Sequence, residues 1–178
     1  MILKLLIALL IAVGLVAVAI SLQPAEYKVV RTATLNAPPS AVYNQISDFH
    51  NWNAWSPWAK LDPNMAQSFE GAASGVGAKY RWVGNSEAGA GSMEIDEVAP
   101  GQRVSIKLEF LKPFPSSSRI IFTLQPEGSG TKVEWAMVGA STFASKAISL
   151  FSSMDKMVGP DFEKGLAQLR SATEAAAH

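Results

Sequence analysis

The sequence predicts an α+β domain: an antiparallel sheet of about seven strands covered by one long carboxy-terminal helix, preceded by a separate apolar segment. Three observations carry this. Residues 5–20 are sixteen consecutive uncharged residues, hydrophobic positions from residue 27 recur with period two, and the spacing turns helical after residue 143.

The chain has 178 residues, 15 Lys+Arg against 15 Asp+Glu, and no cysteine. All of the first 22 residues except Lys4, Gly14 and Ser21 are hydrophobic, and the remainder is about 42% hydrophobic, an ordinary water-soluble composition. That remainder has the size of one domain and can bury a real core. No basic run or stripe is present to neutralise phosphates, so nucleic acid is not an expected partner. Without cysteine there are no disulfides, thiol nucleophiles or thiolate metal sites.

The apolar run, extended by Leu22, is nearly a bilayer core in length at about 1.5 Å per residue. A signal peptide would use Lys4 as its basic start and Ala17-Val18-Ala19 as its exit. The run is long for a cleaved signal, Lys4 is a small positive region, and Ile20 would be an awkward new start. These favour an uncleaved single-span anchor over residues 1–22, with a linker at 23–26 where Pro24 ends the helix and a body at 27–176. Lys4 and the amino terminus flank one side and Lys28 and Arg31 the other, which slightly favours a body outside the membrane, periplasmic in a bacterial cell.

In the body, Val104, Ile106, Leu108 and Phe110 share one face, and Arg103, Ser105, Lys107 and Glu109 the other, as in a half-buried antiparallel strand. Residues 27–35, 78–83, 92–98, 119–125 and 131–138 read the same way, with a shorter strand near 67–71 and turn clusters at 99–101 and 126–130. After Pro38-Pro39, the spacing of Val42, Ile46 and Phe49 predicts a short helix. Later, Phe143, Ala147, Leu150, Phe151, Met154 and Met157 form one apolar stripe, and Phe162, Gly165, Leu166 and Leu169 another. Pro160 between them is expected to kink or restart the helix. The long helix is the one element large enough to cover the sheet's apolar face, and a strongly curved sheet leaves space beneath it.

The runs DFHNWNAWSPW (48–58), GVGAKYRWVGNSEAGAGSMEIDEV (75–98), GTKVEWAMVG (130–139) and VGPDFEKGLAQL (158–169) resemble bacterial SRPBCC proteins. These belong to the START-like superfamily, in its polyketide cyclase/dehydrase and lipid transport branch. The resemblance implies a helix-grip fold, with the sheet wrapped around the terminal helix and a hydrophobic cavity between them. It implies ligands such as lipids, sterols, polyketides or quinones, and a family in which some members are cyclases and others have no enzymatic activity. No universal motif transfers a catalytic role.

Candidate wall residues follow from the pattern. Trp52, Trp55 and Trp58 are three apart, so they stack on one face of a helical turn and could roof the cavity, Trp58 after Pro57 being the plainest packing residue. Tyr80 and Trp82 share one strand face, as do Trp135 and Met137, each aromatic offering an apolar body with a polar tip. Met93, Met137, Met154 and Met157 add adaptable surface, and Gly165 on the buried stripe opens room against the sheet. Core packing is the competing reading for each.

His50 is the one interior histidine and the single candidate for proton transfer; its plainer role is to satisfy a helix end. No nucleophile elbow, dinucleotide fingerprint or phosphate loop occurs, and no cofactor or metal is expected. Arg31 shares the face of Val29 and Leu35, so it requires a carboxylate or a ligand anion, or lies at the sheet's mouth. Residues 110–115 place Phe114 between two prolines, in a lid, a bilayer contact or a locally packed loop.

The leading expectation is a membrane-anchored domain that binds a hydrophobic or amphipathic, lipid-like molecule. The alternatives are a cyclase or aromatase using the same cavity, with His50 or a tyrosine moving protons, and a membrane-tethered interaction or stress module. The oligomeric state is open.

Overall fold

The computed structural model describes residues 1–175. The expected end of the body, residue 176, lies outside the described residues. The elements run α1 (Ile2–Ser21), β1 (Glu26–Leu35), α2 (Pro39–Ser47), a 3-10 turn (Phe49–Asn51), α3 (Trp52–Trp55), a second 3-10 turn (Pro57–Lys60), β2 (Ala66–Gly71), β3 (Ala78–Val83), β4 (Ala90–Ala99), β5 (Arg103–Lys112), β6 (Ser116–Glu127), β7 (Gly130–Ala140), α4 (Phe143–Ser149) and α5 (Met154–Ala175). All seven strands join one antiparallel sheet in the order β1-β7-β6-β5-β4-β3-β2.

Strand alternation decides which side chains enter the core. On β5, Val104, Ile106 and Leu108 are buried while Lys107 and Glu109 are exposed. On β6 the inward set includes Ile120, Phe122 and Leu124, and on β7 Val133, Trp135 and Met137. Against this face α5 buries Phe162, Gly165, Leu166 and Leu169, the stripe its spacing predicts. Segment 39–60 carries the chain from β1 at one sheet edge to β2 at the other, burying Val42, Ile46, Phe49, Trp52 and Trp55 on the way.

The terminal helical region differs from the expected pattern in two ways. The break falls at residues 150–153 and not at Pro160, which lies inside α5. Ser153 Oγ accepts from the amide of Lys156 at 3.3 Å and starts α5 there, as a side-chain cap does. Pro160 removes one bond to the carbonyl four residues back, but burial of Phe162, Leu166 and Leu169 on the sheet holds the helix through it. Of the first stripe Met154 packs against the core, whereas Phe143 is 70% and Phe151 92% exposed, and Met157 is half exposed.

Of the described helices, α1 is the one long and apolar enough to cross a membrane, and its side chains are exposed through Val18, with Ile20 buried. Its end packs against α4.

Candidate apolar cavity

A cavity of about 210 Å³ lies between the inner face of the sheet and the helices, many times the space one water needs. The sheet supplies Tyr80 and Trp82 from β3, Met93 from β4, Leu108 and Phe110 from β5, Ile120 from β6 and Met137 from β7. The 39–60 segment supplies Phe49, Trp52 and Trp58, and α5 closes the space with Met154, Val158 and Phe162.

The aromatic wall is fixed locally. Trp82 lies over Gly91, its cross-strand partner, where any Cβ would strike the indole ring. Its Nε1 donates to the Ala88 carbonyl at 3.0 Å, and Tyr80 and Phe110 flank it at ring separations of 5.7 and 5.6 Å. Trp52 is pinned through Nε1 to the Ile46 carbonyl at 3.0 Å and meets Phe49 edge-on at 5.4 Å. These bonds satisfy the indole donors within the protein, so the rings present their apolar bodies to the cavity.

One end of the wall is polar. Tyr27 lies across Gly139, and its hydroxyl bonds Ser118 Oγ at 2.7 Å, with Ser116 beside them on the wall. Asn53 and Ser56 add polar atoms from the helical side. No Asp, Glu, Lys, Arg or His lines the cavity among the described residues; Tyr27 and Tyr80 are the titratable groups on its wall. Burial pushes the Tyr80 phenol up to about 12, so at neutral pH it is a proton-bearing hydroxyl and not a base. A wall of this kind holds an apolar body and orients a neutral polar tip.

Six of the nine wall candidates meet here: Trp52, Tyr80, Trp82, Met93, Met137 and Met154. Trp55, Trp135 and Gly165 lie behind the wall instead. Trp135 stacks on Phe162 at 4.2 Å and meets Trp55 at 5.7 Å, and both tryptophans are fully buried. Gly165 opens no room, because the Trp135 ring and Pro57 already occupy the space beside it. Trp58, read as packing, reaches the wall, since α3 ends at Trp55 and a separate 3-10 turn re-aims it.

His50 is exposed at the surface, with Nδ1 2.8 Å from Asp48 Oδ1 and its ring stacked on Phe69 at 4.1 Å. It is not among the wall residues, and the turn is capped by Asp48, whose Oδ1 accepts from the His50 amide at 2.9 Å. Among the described residues no cluster of His, Asp or Glu is arranged to hold a metal. Tyr27, Met65, Ser116 and Ser118 were not singled out from sequence. The serines carried a usable signal, because Ser116 and Ser118 share strand parity with Ile120 and Phe122 and so mark a polar end on an apolar face.

Arg31 is oriented toward α5 and is paired there, with Nη1 2.7 Å from Asp155 and Nε 2.7 Å from Glu163. The sequence left open a carboxylate, a ligand anion or a place at the sheet's mouth, and two carboxylates meet this partly exposed side chain.

A family model described as polyketide cyclase / dehydrase and lipid transport matches residues 26–174. No curated protein matches the chain. Solved structures share the fold: protein CV1439 from Chromobacterium violaceum, 18% identical over 85% of this chain and 99% of that one, superposes with a TM-score of 0.59. Protein MLL2253 from Mesorhizobium loti is 20% identical over 84% of this chain and 98% of that one, with a TM-score of 0.59. DynU16, described as a protein in the dynemicin biosynthetic locus, is 17% identical over 84% of this chain and 48% of that one, with a TM-score of 0.57.

Proposed function

The chain belongs to the polyketide cyclase / dehydrase and lipid transport family, and we propose that its body binds a hydrophobic or amphipathic, lipid-like molecule in the cavity under α5 while α1 holds it to a membrane. The observation that carries this is the wall itself, built from aromatic and methionine side chains with hydroxyls at one end and no charge. Each ligand methylene buried there contributes about 0.8 kcal/mol, and a hydroxyl or carbonyl of the ligand pairs with the Tyr27–Ser118 end. The methionines let one cavity accept more than one shape.

A cyclase would use the same space but needs an acid or base on the wall. His50 lies outside it and the Tyr80 phenol, raised to about 12, is no base and only a weak acid at neutral pH, so the wall favours binding over proton transfer. In this reading the body is extracytoplasmic, which protease shaving of spheroplasts tests; protection until lysis would overturn that orientation.

Native mass spectrometry of the full chain released from detergent, with analysis of the extracted lipid, tests the binding function. One apolar adduct per chain is the expected result. Repeated recovery of empty protein from cell membranes would overturn it.

A further inference from the structure

Antiparallel register sorts the connections of the body into two poles. One pole collects the start of β1, the end of β7, the β3–β4 and β5–β6 loops and the start of α5; the other collects the turns after β2, β4 and β6. Exposed large apolar side chains are unequally divided between them. Val83, Leu111, Phe114, Phe143 and Phe151 all lie at the first pole, whereas Val76 alone represents the second among the described residues. Phe114 is 66% exposed. A water-soluble surface rarely concentrates aromatics this way without a partner.

The partner is indicated by where α1 ends. Its last residue, Ser21, precedes β1 by four residues, and its end packs against α4, so the apolar helix leaves the body at the pole that carries the exposed phenylalanines. The cavity reaches the same pole: Phe110 and Ser116 flank the β5–β6 loop, Met154 opens α5, and all three are on its wall and half-buried. Lys112 and Lys146 sit beside the apolar groups, where a long cationic side chain reaches lipid headgroups while its stem stays apolar.

We infer that this pole is a second membrane-binding surface, in which α4 with Phe143 and Phe151 and the β5–β6 loop with Leu111 and Phe114 sit at the headgroup–acyl boundary of the bilayer that α1 enters. The cavity rim then faces lipid, and its occupant passes between bilayer and cavity without crossing water. This rests on α1 being the membrane anchor of the proposed function.

The chain has no cysteine, so single substitutions Phe114→Cys, Phe151→Cys, Val76→Cys and Leu10→Cys each give one labelling site. The full chain carrying a nitroxide at each site is reconstituted into phosphatidylcholine–phosphatidylglycerol vesicles, and collision with oxygen is compared with collision with a water-soluble nickel chelate. Labels at 10, 114 and 151 are expected to show an oxygen-to-nickel ratio several-fold above the label at 76. A lipid signal at 10 with nickel access at 114 and 151 equal to that at 76 would overturn the second surface alone. Protection of 114 and 151 from both reagents would replace the bilayer by a protein partner or a second copy, and nickel access at 10 would remove the anchor and the inference with it.

Discussion

The guanidinium of Arg31 lies over the bare Cα of Gly159, so that it bonds Asp155 one turn before and Glu163 one turn after on the same face of α5. This ties β1 to the part of the helix that supplies Met154 and Val158 to the cavity. Alanine at 159 puts a methyl on the guanidinium, and because Pro160 follows, its Cβ also meets the proline ring, so the usual helix-propensity gain over glycine is not available. Gly159→Ala should therefore lower the melting temperature, and by less in an Arg31→Met background, where the clash with the guanidinium is gone. Thermal circular dichroism of the four proteins checks this; a rise in both backgrounds would show that the packing is not tight.

Acid stability follows from two carboxyls. The hydrogen bond from Arg31 holds Asp155 below the usual carboxylate range. Burial pushes Asp96 up, but bonds from Arg119 and Ser105 outweigh it and hold it low as well. A group whose folded pKa is depressed contributes stability above its unfolded value, near 3.9, and loses it as pH falls through the folded value. The urea midpoint should thus change little between pH 7 and about 5 from these groups and fall below about 4, with Asp96→Asn and Asp155→Asn each flattening the fall. An undiminished slope in the double variant would assign acid sensitivity to other carboxyls.

Gly165 and Trp135 are matched in the packed layer behind the cavity. A Cβ at 165 would stand 2.7 Å from Trp135 Cζ3 and 3.2 Å from Pro57, and Trp135 cannot retreat because Phe162 stacks on it. Gly165→Ala should cost about 1–3 kcal/mol of stability despite its propensity gain, read as a lower urea midpoint. Ligand uptake by the folded fraction should be unchanged, since neither residue reaches the wall.

The strands were legible where inward parity survives, from Val104 to Leu108 and from Ile120 to Leu124; in β4 a register shift after Ile95 turns Val98, and not Glu97, toward the core. Parity does not say what stands opposite. Trp82 and Trp135 both point inward, yet Gly91 lets the first lie flat along the cavity while Phe162 and Gly165 enclose the second. The partners of Arg31 are 124 and 132 residues away, beyond any local pattern. The apolar spacing from Phe143 to Met157 is helical on either side of a break at 150–153, but a stripe records amphipathicity and not which apolar medium receives it; here Phe143 and Phe151 are exposed, and α4 adjoins the end of α1.

The phenol of Tyr80 offers a direct probe of the wall. The chain has three tyrosines, and burial raises Tyr80 to about 12. Alkaline titration followed near 295 nm should show a phenol ionising at about 12, about two units above the ordinary value near 10. Tyr80→Phe should remove that late step. A late step that persists in the variant would belong to another tyrosine, and the burial of the Tyr80 hydroxyl would be refuted.

Filling the cavity separates a binding site from an incidental void. Met137 is 6% exposed on β7 and faces the space between the sheet and α5. Tryptophan at this position projects an indole into the cavity, so Met137→Trp should keep the fold, with a stability change within about 1–3 kcal/mol. It should reduce recovery of the apolar adduct by native mass spectrometry at least about tenfold, equivalent to about 1.4 kcal/mol of binding. Met157→Trp, on the exposed side of α5, and His50→Ala, on the surface turn, should leave that recovery unchanged. If Met137→Trp retains the adduct and Met157→Trp loses it, the ligand sits on the outside of α5, and the cavity is only the space left by a curved sheet around a helix.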